Sequence, residues 1–153
     1  MKKTLAILLP LVMCLSGLAE AAVPKKCKDD ILKGPYVFAA SGFTRAPNSP
    51  PGTPWSPKAI IEVLDFNGDG TLTTPVLAIA NPFGDTGAVL QPSSGGAPGL
   101  YTIDANCTGT VQFLDSNNAT FRIVVDPDQA DTVWMIQTNP AQNVFQGSAK
   151  RLR

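Results

Sequence analysis

Beyond residue 22, no part of this chain keeps the 3.6-residue apolar spacing of an amphipathic helix. Its apolar residues come in short runs closed by Gly, Pro, Asn or Asp, the pattern of strands and turns. Gly34-Pro35 opens the first run, Tyr36 to Phe43, in which Tyr36 and Phe38 share one face by period-two alternation. Lys58 to Phe66 and Thr71 to Ala80 flank Asn67-Gly68-Asp69-Gly70, a hairpin signal because Gly and Asn accept positive φ. Pro75 predicts a bulge or an edge in the second of these strands. Ile60, Glu62, Leu64 and Phe66 fall on one face of the first, Ala59, Ile61, Val63 and Asp65 on the other. Both faces are largely apolar, so this strand is expected to be covered on both sides.

Asn81 to Pro98 is rich in Gly, Pro and Ser and predicts loops around one short strand at Ala88-Val89-Leu90. Gly99 to Thr110, G-L-Y-T-I-D-A-N-C-T-G-T, then reads as strand, turn and strand. Thr108 to Leu114 is expected to pair with Ala119 to Val125 across Asp115 to Asn118. A three-residue loop sets Val111 opposite Ile123 and Phe113 opposite Phe121 on one face, with Gln112 opposite Arg122 on the other. Thr132 to Thr138 and Asn143 to Arg151 complete the set. Eight or nine short strands in successive hairpins predict an all-β protein, a small up-and-down β-barrel of about eight strands. The alternative is a β-sandwich; closure is favoured because it removes exposed edges.

The first residues carry a different signal. Lys2 and Lys3 precede an apolar run from Leu5 to Leu15, and Ala19-Glu20-Ala21 offers the small residues of a cleavage site. Residues 1–21 are therefore expected to be a signal peptide and 22–153 a single exported domain, periplasmic or secreted. The run is too short to span a membrane, and Met13 before Cys14 argues against a lipoprotein. Cleavage leaves two cysteines, Cys27 and Cys107. An even count in an oxidising compartment predicts a disulfide; a metal site lacks partners, because the chain has no histidine.

That missing histidine also rules out Ser-His-Asp and Cys-His chemistry. Twelve basic and twelve acidic residues leave no net charge to attract nucleic acid, and no cofactor motif is present. Asp65-Phe66-Asn67-Gly68-Asp69-Gly70 matches half of a calcium loop, but the twelfth position is Val76 where a bidentate Glu is needed. No metal is expected there. Asn106-Cys107-Thr108 and Asn118-Ala119-Thr120 match the glycosylation sequon, which carries no weight behind a bacterial-type leader. Most aspartates stand in turns, where Asp belongs for local reasons.

Ala46 to Pro57 holds five prolines and is expected to be a long loop, with Trp55 folded back or covering an opening. Glu62, the one glutamate after cleavage, serves as acid, base or ligand anchor if its face points inward, and is solvated if it points out. The cavity candidates are Glu62, Tyr36, Phe38, Tyr101, Phe113, Phe121 and Trp134; the competing reading of the aromatics, Phe145 included, is core.

Gly34 to Thr44, Gly99 to Thr110, Phe121 to Val125, Ile136 to Pro140 and Gly147 to Arg151 together resemble a family of uncharacterised exported bacterial proteins. The G-L-Y-T and C-T-G-T pieces are the most specific part. That family resembles, at fold level, the β-barrels of allene oxide cyclases and plant dirigent proteins. The resemblance implies a barrel with an apolar cavity and carries over no catalytic residue. The leading expectation is a non-enzymatic barrel that binds a small apolar or amphipathic ligand. The alternatives are an isomerase- or cyclase-like enzyme using Glu62, and a structural or partner-binding envelope protein. The oligomeric state is left open.

Overall fold

The computed structural model describes residues 27–46, 48–80, 88–114 and 118–153, and for 88–97 the backbone alone. The proposed leader, Cys14 and the turn residues 115–117 lie outside the described residues. Eight antiparallel strands close into a barrel in sequence order: β1 (Gly34–Thr44), β2 (Ser56–Phe66), β3 (Thr71–Ala80), β4 (Ala88–Ile103), β5 (Thr108–Phe113), β6 (Thr120–Val125), β7 (Thr132–Asn139) and β8 (Asn143–Arg151). β8 pairs with β1 from Tyr36↔Arg151 to Thr44↔Asn143, so neither strand is left as an edge. The meander is the barrel predicted from the hairpin succession.

Alternation decides what faces inward. Tyr36, Phe38 and Ala40 of β1 are buried, as are Glu62, Leu64 and Phe66 of β2, while the residues between them are half-buried or exposed. The same beat buries Val111 and Phe113, then Phe121, Ile123 and Val125, then Val133 and Met135. Edge-to-face rings fill the interior in two groups. Phe66 stands 5.2 Å from Tyr36 and 5.0 Å from Tyr101; Phe121 stands 5.5 Å from Phe38 and 5.8 Å from Phe113. Such pairs add about 1 kcal/mol each beyond the burial of their area.

One end of the barrel is stoppered by the segment 27–33, which contains a single 3-10 turn, Asp29–Ile31. Leu32 is fully buried there. The Tyr101 hydroxyl donates to the Asp29 and Leu32 carbonyls, and the Ile103 amide donates to the Asp29 carboxylate. Cys27 is disulfide-bonded to Cys107, with Cα atoms 5.0 Å apart, in the turn between β4 and β5. The bridge thus pins the stopper to the barrel rim, as the even cysteine count predicted.

Three expectations need correction. β5 and β6 pair two residues out of the expected register: Val111 lies opposite Phe121 and Gly109 opposite Ile123, with the Phe113 amide donating to the Ala119 carbonyl. The loop is longer than three residues, with Asn118 at φ 46° on its return side. A shift of two leaves every side chain on its expected face, so Arg122 still points outward. β4 is a sixteen-residue strand rather than a short piece at Ala88, although Pro92 and Pro98 lie within it. Pro92 sits where its ladder with β3 changes register, between Thr74↔Ala97 and Val76↔Pro92, and Pro98 pairs with Thr73 just beside that slip. Pro75 stands in the corresponding slip of β3, the predicted bulge. β2 is covered on one face only, since Ile61 is 58% exposed on the outer wall.

Candidate functional site

The interior candidates had two readings, lining of a cavity or, for the aromatics, packed core. Tyr36, Phe38, Tyr101, Phe113 and Phe121 do point inward, but they are buried against one another as packed core. Glu62 also points inward and is buried, opposite Phe38 on β1 and Leu77 on β3. Trp134 does not join them: it stands on the outer wall, 52% exposed, because the alternation that buries Val133 and Met135 turns it outward. Trp55 is half-exposed at the base of the proline-rich loop, with the Arg45 guanidinium 4.8 Å above its ring. At the same end of the barrel the Lys58 ammonium lies 5.1 Å from the Phe145 ring, and the Thr44 hydroxyl donates to the Asn143 amide oxygen at 2.6 Å.

The wall itself supplies a concavity. Antiparallel partners share a face, so the registers of β6, β7, β8, β1 and β2 set outward residues in rows across five strands. One row reads Val124, Trp134, Ser148, Ala39, Ile61. The next reads Arg122, Ile136, Gln146, Ser41, Ala59. In the first, large apolar side chains flank two small ones. At about 4.8 Å per strand, Trp134 and Ile61 stand roughly 14 Å apart along the sheet with only Ser148 and Ala39 between them. The result is a trough of about 930 Å³. That is within the range of small-molecule sites, and apolar lining with a few polar groups is their usual make-up.

Beneath the trough the seam between β8 and β1 is packed backbone to backbone on its inward side. Gly147 of β8 pairs with Ala40 of β1, and a Cβ on it would overlap the Ala39 carbonyl oxygen and lie 2.7 Å from the Ala40 Cα. Glycine is required where the two strands approach this closely. Ile61, Trp134, Ile136 and Val124 are each about half exposed, and Phe43 and Val144 extend the apolar surface into a neighbouring dip of about 350 Å³. Sequence reasoning missed this face. Its signal was present in consecutive apolar residues, Val133-Trp134-Met135-Ile136 and Ala59-Ile60-Ile61, which alternation must divide between two sides of a wall.

The half calcium motif is a hairpin turn. Asp69 accepts hydrogen bonds from the amide and hydroxyl of Thr71, which hold its carboxyl below the usual carboxylate value. Among the described residues no group of three His, Cys, Asp or Glu is placed to hold a metal ion. Asn106 likewise serves its own turn, accepting from the Thr108 amide and hydroxyl.

Fold and wall together define a closed eight-stranded antiparallel barrel with a packed aromatic interior and an apolar trough outside. No family model matches the sequence, and no curated protein matches it.

Proposed function

We propose that this is an exported, non-enzymatic binding module, and that the small apolar or amphipathic molecule it takes lies in the trough on the outer wall. The observation that carries the reading is the row Val124, Trp134, Ser148, Ala39, Ile61, in which two small residues separate exposed large apolar ones. Export is supported by the Cys27–Cys107 disulfide, and no helix among the described residues is long and apolar enough to cross a membrane.

The test is a fluorescence titration with the neutral probe N-phenyl-1-naphthylamine. One saturable site per chain is expected, and Ala39→Phe, which fills the trough from an exposed position, should abolish it with the circular dichroism unchanged. Undiminished binding to Ala39→Phe would reject the trough. A partner-binding envelope protein is the second reading, favoured by the continuation of the apolar face through Phe43 and Val144. The isomerase- or cyclase-like alternative draws on Glu62, which points into the barrel and not into the trough.

A further inference from the structure

We propose that the trough's occupant is an amphipathic anion, a molecule with an apolar body and a single carboxylate, sulfonate or phosphate head seated at Arg122. This rests on the reading of the trough as a small-molecule site. Among the described residues lining the trough, Arg122 is the one that carries a charge. Neither row across the five strands contains an acid. Arg122 is exposed, and among the described residues no ion pair or hydrogen bond engages it. The other described arginines are all engaged: Arg151 with Tyr36 and Asp131, Arg153 with Asp131, and Arg45 over Trp55.

A guanidinium offers a planar fork of donors that fits a carboxylate or a similar oxyanion. Arg122 sits at one corner of the trough, beside Ile136 in its row and Thr110 on β5. A head held there leaves the apolar body to run past Trp134 over Ser148 and Ala39. A second copy of the chain fits less well. An isologous contact through this face would bring Arg122 of both copies into one apolar interface with no acid to pair with either.

Two probes with the same aromatic body separate head from trough: neutral N-phenyl-1-naphthylamine, and 1-anilinonaphthalene-8-sulfonate, which adds one anionic group. The anionic probe is expected to bind roughly fivefold or more tightly, an advantage that shrinks with added salt. Arg122→Gln should erase that advantage and leave the neutral probe unchanged. Lys150→Gln, an exposed outer-wall cation absent from the trough lining, should change neither. Dodecanoate should compete with the sulfonate probe, and dodecanol should compete more weakly. Equal binding of the two probes, or an advantage lost in Lys150→Gln and kept in Arg122→Gln, overturns the head-group assignment while the trough stands. Failure of both probes to saturate, or their indifference to Ala39→Phe, overturns the trough as well. Self-association on sedimentation that Ala39→Phe abolishes and both probes inhibit would give the face to a second copy instead.

Discussion

The Tyr36 hydroxyl donates to the Ala130 carbonyl at 2.6 Å while accepting from the Arg151 guanidinium at 2.7 Å, so a single oxygen ties the first strand to the β6–β7 turn and to the last strand. Arg151 also donates to the Ile31 carbonyl in the stopper. Burial, partly offset by Arg151, holds the Tyr36 hydroxyl above its usual pKa of 10.0. The unfolded chain therefore gives up that proton first. The stabilisation is complete below the unfolded value and is lost as pH rises through the higher folded one. Thermal melts should hold steady below about pH 10 and fall above it. Tyr36→Phe should flatten part of that fall, at a cost near neutral pH of about 1–3 kcal/mol from the stranded carbonyl and guanidinium. An unaltered alkaline limb in Tyr36→Phe would assign the fall to other groups.

The disulfide closes 80 residues of sequence and fastens a stopper that otherwise rests on Leu32 and a few hydrogen bonds. Chain entropy alone puts its contribution at about 4 kcal/mol. Replacing Cys27 and Cys107 by Ala together should lower the denaturant midpoint accordingly, and reductant should no longer affect the variant. A double variant as stable as the parent would mean that the barrel does not depend on the bridge.

Gly147→Ala should be among the most damaging single-methyl additions, because what stands in its way is backbone: the Ala39 carbonyl and the Ala40 Cα. Overpacking of this kind costs about 1–3 kcal/mol or more. Urea unfolding of Gly147→Ala beside Gly52→Ala, where nothing lies within 4 Å of the added Cβ, checks this. Gly52 has φ +88°, so its variant carries the strain of that backbone without the clash and should cost less.

Phe38 and Trp134 were both candidates for a cavity and should now behave as opposites. Phe38 is fully buried against Phe121, and Phe38→Ala should cost about 3–5 kcal/mol. Trp134→Ala removes a half-exposed ring and should stay within about 0.5 kcal/mol while weakening probe binding. Equal losses of stability would return Trp134 to the core.

Strand alternation and turn residues were enough to read the barrel, its meander order and the inward set of β1, β5 and β6, because a period of two admits only two answers per strand. Register was harder. The Val111–Phe121 pairing differs from the expected Val111–Ile123 by two residues, which no hydrophobic pattern can distinguish, since both put the same side chains inside. β4 escaped because Pro92 and Pro98 argue against a strand, and a ladder that slips there tolerates them. Trp134 was misplaced because aromatic character suggests a core and says nothing of side. The trough was hidden for a further reason: it is made by the small size of Ala39 and Ser148 beside Trp134 and Ile61, neighbours in space drawn from residues 39 to 148.

The seam between β1 and β8 joins residues 36–44 to residues 143–151. Until β8 is in place, the folding chain has β1 and its newest strand as two raw edges, each a template for pairing with another chain. The stopper cannot finish docking either, because Arg151, which holds Ile31 and Tyr36, belongs to β8. Loss of β8 would leave an open, sticky sheet rather than a slightly shorter barrel, so the integrity of the whole wall depends on the strand that closes it.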